Sequence, residues 1–366
     1  MKILPDSNAL YGDDVKPWLD VPSWFVLRQS LERLGHSVHI PKVVIEEMIR
    51  RYGDNLRSES KRTREALGRL AKLLAWRLDD PLPKARVAEF ISHYRNWLQD
   101  QTRDFVADYP RTTHEAVVVR DLSRRRPFDQ EGKGYRDTLI WETVLELASR
   151  DNMPVALVTK DKDFVDRDRT LHADLQRDMR ELGLEVGLVR VFATISEFVK
   201  EIVVPSLEEL AELETALLEG RYPHLDLRNW FEAEFDTLFA HRDWYSWDLG
   251  LSSLYHEVGL ASFNRNVAIL NVEVRRVPSG ELLIAFEPLF DCEFDFYIRK
   301  MDEDILAGLP TPDSPRILET YPTGDWYDYA VKVSKAVRVH AVVNVLYDET
   351  AHRVVSTEVT HVSVAP

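Results

Sequence analysis

Residues 132–164 read GKGYRDTLIWETVLELASRDNMPVALVTKDKDF, and the two halves of this stretch differ in pattern. The first half is a glycine-bearing loop feeding a helix, with Leu139, Thr143, Leu147 and their neighbours predicted to face inward. The second half, PVALVTKDKDF, is a nearly continuous apolar strand that ends in a charged turn. A strand apolar on both faces is expected inside a parallel sheet covered by helices.

Working outward, the same alternation continues. The opening KIL is a short strand followed by a polar turn at Asp6, Ser7 and Asn8. PSWFVLRQSLERLGH places Trp24, Leu27, Leu31 and Leu34 on one helical face and closes on Gly35. SVHIP reads as a second short strand. Pro41 then starts a helix through VVIEEMIRRYG, with Gly53 as its expected stop. Residues 57–108 read as one or two long helices broken near Asp80, Pro81, Leu82 and Pro83. Downstream, LEVGLVRVF is a further strand and ISEFVKEIV a helix. Strands alternating with helices predict a doubly wound α/β domain with ligands at the carboxyl ends of its strands.

Pro205 opens a predicted linker helix over 205–221, SLEELAELETALLEG ending at Gly220. From 222 to 366 the texture changes. VAILNVEVRRV, ELLIAFEPLF, CEFDFYIRK, YAVKVSKAVRVHAVVNVLY and RVVSTEVTHVSV alternate apolar and polar residues, with turns at Pro278-Ser279-Gly280 and Asp348-Glu349. This is the pattern of an antiparallel β-rich domain, entered through an aromatic-rich helical stretch around Trp230 to Trp247.

The chain of 366 residues suits two domains better than one. The formal charge of −15 is unevenly placed: residues 1–200 carry 34 basic and 33 acidic side chains, the remainder 13 and 29. A near-neutral first half with basic patches can meet a polyanion, whereas the acidic second half repels one. That asymmetry raises the expectation of a protein partner, or a regulatory contact, through the C-terminal domain. The aromatic stretch is accordingly read as a core or a protein-binding surface before a base-stacking platform. No apolar run of about 18 residues offers a membrane span, and the N-terminus has no signal-peptide pattern. With Cys292 as the lone cysteine, intrachain disulfides and cysteine zinc sites are excluded, and a cytoplasmic location is expected. A homo-oligomer stays open.

Asp6 follows a strand, Glu46 lies one turn into a helix, Asp137 opens a helix, and Asp161 and Asp163 follow the most apolar strand. Five carboxylates from four segments converge, in an α/β sheet, on one edge. They need positive charge between them, and oxygen-only ligands with retained water suit Mg²⁺ or Mn²⁺. Each acid alone is explained more simply as a cap or turn former. Lys133, Arg136 and Lys160 flank the acids and are candidates for phosphate oxygens, or for pairing with the carboxylates. Arg57, Lys61, Arg62, Arg64, Arg69 and Lys72 form a basic helix, more simply a solvated face than a backbone tracker. No nucleophile elbow, P-loop or GxGxxG is present.

PDSNAL, PKVVIEEM, YRDTLIWETVLELA and LVTKDKDF resemble the four acidic motifs of PIN domains, and Lys133 to Asp137 resembles a bacterial PIN-like family with an uncharacterised C-terminal extension. The resemblance covers roughly residues 1–200. It implies a three-layer α/β/α domain over 1–204 with a mainly parallel sheet, here with a helical insertion at about 55–110; the acidic β-rich (α+β) domain over 222–366 rests on its own alternation and charge. It further implies a Mg²⁺- or Mn²⁺-dependent endonuclease acting on RNA. Asp6, Glu46, Asp137 and Asp161 match the core acids, Asp163 an accessory acid, and Asn8 and Thr159 the polar supports. Pro5 before Asp6 departs from the motif, and the insertion between Glu46 and Asp137 is long. Two alternatives remain: a structure-selective DNA nuclease, and a nucleic-acid or protein binding module with an inactive PIN core.

Overall fold

The computed structural model describes residues 1–10, 22–74, 83–239, 242, 244, 256–299, 316–321 and 330–365. It divides into two compact units, Met1–Ser206 and Leu207–Pro366. Among the described residues no helix is long and apolar enough to cross a membrane.

The first unit is built on four parallel strands in the order β2-β1-β5-β6: β1 Lys2–Pro5, β2 Ser37–Val38, β5 Val155–Val158 and β6 Val189–Phe192. A separate parallel pair joins β3 Ile40–Pro41 to β4 Val106–Ala107, so SVHIP is two strand fragments. The four residues of β5 are fully buried, which is why their sequence is apolar on both faces. Pro5 is tolerated inside the sheet because the β2 ladder has already ended at Val38. On the β5 side the next donor, the Asp6 N–H, reaches the Val158 carbonyl at 2.9 Å.

The helices are α1 Ser7–Leu10, α2 Pro22–Arg33, α3 Lys42–Leu74, α4 Lys84–Thr102, α5 His114–Leu122, α6 Tyr135–Asp151 and α7 Ala173–Glu181. Trp24, Leu27, Leu31 and Leu34 are buried as expected. Beyond them Gly35, at φ 65, ends α2: its N–H donates to the Glu32 carbonyl and that of His36 to Leu31. The inward face of α6 is Ile140, Trp141, Val144, Leu145 and Ala148 together with Thr143 and Leu147; Leu139 is half-buried.

Gly53 does not stop α3, which runs on to Leu74. A β-carbon at Gly53 would stand 3.3 Å from both the Arg57 guanidinium and Ile91 of α4. The glycine therefore serves a close helix crossing, beside stacked Tyr52 and Tyr94 rings 4.0 Å apart. Of the break expected near Asp80 to Pro83, positions 80–82 lie outside the described residues.

Pro205 stands in the first turn of a helix, as expected, but no loop separates that helix from the one before it. A short helix α8 Ile195–Phe198 passes through a π turn, Val199–Val203, directly into α9 Val204–Leu218. Proline lacks an N–H and its ring crowds the carbonyl four residues back, so the turn before it opens to wider spacing.

In the second unit α10, Leu227–Phe239, packs on an antiparallel sheet. The sheet order is β11-β10-β8-β7, with β9 (Arg316–Tyr321) also on β10. Its strands are β7 His256–Arg276, β8 Leu282–Arg299, β10 Ala330–Asp348 and β11 Arg353–Val364. Alternate residues of β8, among them Leu282, Ile284, Phe286, Phe290 and Phe294, are buried, as a one-sided sheet requires.

The aromatic stretch is a core. Phe231 and Phe235 of α10 meet Phe290 at ring distances of 5.3 and 5.5 Å, and Phe235 stacks on Phe263 at 3.8 Å. The continuation at 245–250 lies outside the described residues. Phe231 is fully buried, so Phe231→Ala is expected to cost about 3–5 kcal/mol. Urea unfolding followed by tryptophan fluorescence would measure it, and a loss under about 1 kcal/mol would contradict this packing.

Candidate metal and nuclease centre

The carboxyl ends of β1 and β5 lie side by side, with Pro5 opposite Val158. The residue after β1 is Asp6 and the residue after β5 is Thr159, and a hydrogen-bonded knot joins them. The Thr159 hydroxyl donates to Asp6 Oδ2 at 2.8 Å, and the Asn8 side-chain amide donates to the same oxygen at 2.7 Å. The Asp6 Oδ1 accepts from the Ser7 N–H at 2.5 Å. All three donors are neutral, so the charge on a nearly buried carboxylate is solvated but not balanced. Asn8 also accepts from the Lys160 N–H at 2.9 Å, which pins the turn that carries Asp161.

Asp137 enters from the first turn of α6. Gly134, at φ 133, sets that helix start. A β-carbon there would fall 2.5 Å from the Pro127 carbonyl oxygen, so only glycine lets the preceding loop pass so closely. Burial foremost, then the charges of Asp161 and Asp6, push the Asp137 carboxyl up to about 7, with Arg136 opposing and Glu47 adding to the rise. Burial pushes Asp6 up to about 6 despite its hydrogen bonds to Thr159 and Ser7, with Glu47 and Asp161 adding to it. Asp161 is raised too, by burial, with Arg126 opposing. A carboxylate at a helix N-terminus is ordinarily favoured, so the rise at Asp137 measures how strongly its surroundings disfavour another negative charge.

The fourth acid of this group is Glu47. The Ser7 hydroxyl donates to Glu47 Oε2 at 3.1 Å, and Arg136 pairs with its other oxygen. Glu46 is not brought to the cluster: it is half-exposed and pairs with Arg95 of α4 at 3.3 Å. Adjacent helical residues point about 100° apart, so only one of two neighbouring glutamates can face the sheet edge. The pair EE in the sequence gave no way to choose. The count from Pro41 favoured the first, whereas the ladder of buried Val43, Val44, Met48 and the half-buried Glu47 shows the orientation.

Asp161 does double duty, capping a 3-10 turn over Lys162–Phe164 by accepting the Asp163 N–H at 2.9 Å. The Asp163 side chain pairs with Arg126. Lys133 is exposed and held by Glu131 at 2.5 Å. Two clefts flank the group. One of roughly 410 Å³ is lined by Thr159, Asp161, Lys160, Lys162 and Arg167. The other, roughly 530 Å³, is lined by Tyr109, His114, Tyr135 and Arg136.

A second buried charge network, absent from the sequence reading, braces this region. Asp178 of α7 accepts from Arg120 and, at 2.7 Å, from the Trp141 indole, and pairs with Arg125 at 2.5 Å. Arg120 also donates to the Arg126 carbonyl at 2.8 Å, fixing the residue whose side chain meets Asp163.

Residues 3–164 match the family model described as PIN domain. The N-terminal unit is a PIN domain. It thus belongs to a superfamily of nucleases, and the acids described above stand within or beside its strand ends. No curated protein and no solved structure matches the chain. The second unit lies outside the PIN match.

Proposed function

We propose that the PIN domain is a metal-dependent endonuclease that hydrolyses phosphodiester bonds, with RNA as its substrate, and that Asp6, Glu47, Asp137 and Asp161 form its centre. The observation that carries this reading is the gathering of these acids at one sheet edge. There Asp137 is lifted to about 7 by burial and by its acidic neighbours. A fold that buries carboxylates beside one another, against the cost of desolvation first and of their like charge second, fits a cationic ligand.

The donor set is oxygen only, which suits Mg²⁺ or Mn²⁺. Among the described residues no group of three or more His, Cys, Asp or Glu side chains is arranged to hold a metal ion by itself. Mg²⁺ asks least of protein ligands, because it keeps several of its waters. A divalent cation held there supplies Lewis-acid activation of water and charge neutralisation at the phosphate.

The chain's own residues supply the rest. Thr159, Asn8 and Ser7 fix the orientation of Asp6 and Glu47. To Arg136 and Lys160 the reading assigns contacts with phosphate oxygens; Lys133 is paired with Glu131, and Asp163 with Arg126. In the reaction water adds to phosphorus, one P–O ester bond breaks, and the leaving oxygen takes a proton.

Labelled RNA and DNA of one sequence, incubated with the protein in Mg²⁺, Mn²⁺ or chelator, test this. Cleavage of the RNA in metal alone is expected; cleavage confined to DNA would reassign the substrate, and cleavage of neither would overturn the reading. Within it, Glu47→Gln is expected to lower cleavage about 10–100-fold, while Glu46→Gln stays within about two-fold because its partner Arg95 is exposed. The reverse order would restore Glu46 to the centre.

A further inference from the structure

The two clefts beside the acidic group differ in chemistry. The one next to Asp161 is lined with Lys160, Lys162, Arg167 and Arg169, together with Asp161, Asp166 and Glu197, so charged side chains of both signs surround it. The other is linked to the acids through Arg136 and has no acidic lining residue. Its lining includes Tyr109 and Tyr135, the apolar Val43, Val117 and Leu139, and His114.

Tyr109 and Tyr135 are 48% and 49% exposed, so each keeps about half its surface open although it lines a cavity. The Lys42 ammonium stands over one face of Tyr109, 5.7 Å from its centroid; a half-open aromatic ring in a concave site still offers a face to a planar group. Arg136 lines this cleft and at the same time pairs with Glu47, so it lies between the cleft and the acids. Its guanidinium is placed to hold a phosphate whose nucleoside extends toward the tyrosines. At roughly 530 Å³ the cleft has room for one base.

We propose that this cleft is a nucleobase subsite: Tyr135 and Tyr109 hold one unpaired base of the strand whose phosphate is presented to the acidic group, with Arg136 between them. The inference rests on the endonuclease reading. It adds that the base must be out of a duplex, because a base inside a duplex has both faces stacked on its neighbours. Stacking is tolerant of base identity, so the subsite selects single-stranded over paired substrate more than one sequence over another.

Fluorescence anisotropy of a labelled single-stranded RNA and of the corresponding blunt duplex tests this on the full chain. Ca²⁺ replaces Mg²⁺, and the oligonucleotide is checked intact on a gel. The wild type is expected to prefer the single strand. Tyr135→Ala should weaken single-strand binding by about ten-fold, Tyr109→Ala by a few-fold, and Tyr135→Phe by less than two-fold. Duplex binding should not change. Thermal melting verifies that each variant is folded, which half-exposed side chains make the expected result.

Single-strand affinity unchanged in Tyr135→Ala, an equal loss on duplex, or a wild type that does not prefer the single strand would each overturn the subsite. The readout is affinity, so it is separate from the nuclease reading. Cleavage that persists in Asp137→Asn would sink that reading while leaving the affinity result to judge the cleft.

Discussion

Asp137→Asn is expected to do two things at once: lower metal-dependent cleavage by on the order of a thousand-fold, and raise the stability of the PIN domain in chelator. The first effect follows from removing a formal charge where the proposed centre needs it. The second follows from the physical state of the side chain. For a carboxyl whose folded pKa is raised, the neutral form is the one the fold prefers, so ionisation costs stability. That cost is absent below the unfolded value of about 3.9. It grows as pH rises and is complete above the folded values, about 6 for Asp6 and about 7 for Asp137. In chelator the wild type should therefore lose stability between about pH 4 and pH 7. Added Mg²⁺ should restore it.

Allowing for the side chain's partial contact with solvent, removing the charge at Asp137 is worth on the order of 2 kcal/mol at neutral pH. That amounts to a rise of roughly 4–8 °C in the melting transition of a domain this size. Thermal melts of both proteins at pH 5 and pH 8, with and without Mg²⁺, measure it. A variant no more stable than the wild type in chelator at pH 8 would show that the acids do not repel one another, and the case for a cation among them would lose its support.

The contrast between what the sequence revealed and what it hid follows a physical rule. β5 and the start of α6 were legible because burial on both faces and a glycine–acid helix start leave marks in a single segment. Asp6, Asp137 and Asp161 were legible because each ends or begins such a segment. Glu47 was not, because its orientation depends on the rotation of α3, and one residue along a helix is about 100°. Gly53 misled because a glycine can mark a close crossing, here with Ile91, instead of an end. Pro205 marked a helix start correctly, but a π turn over Val199–Val203, not a loop, precedes it. Asp178 was invisible: its partners Arg120, Arg125 and Trp141 lie 37 to 58 residues away. Nothing in the spacing of an ordinary Asp on an amphipathic helix announces them.

That network gives the second large expected effect, opposite in sign to the first. Asp178 and Arg120 are both nearly fully buried. Asp178→Ala would leave two guanidinium groups and the Trp141 N–H without their shared acceptor, at a cost of about 3–5 kcal/mol. A fall of roughly 10 °C in melting temperature is expected for a domain of this size. Asp178→Asn keeps an oxygen for the indole and removes only the charge, so it should cost less. Replacing the whole pair by apolar residues of similar volume, Arg120→Met with Asp178→Leu, should recover part of the loss, since an uncompensated buried charge is worse than none. The decisive comparison is between two aspartate-to-asparagine changes in one domain. In chelator at pH 8, Asp178→Asn should lower the melting temperature and Asp137→Asn should raise it. A carboxylate held by two guanidinium groups loses by the change, whereas one that is buried beside other acids gains by it, and a cation fits the second place.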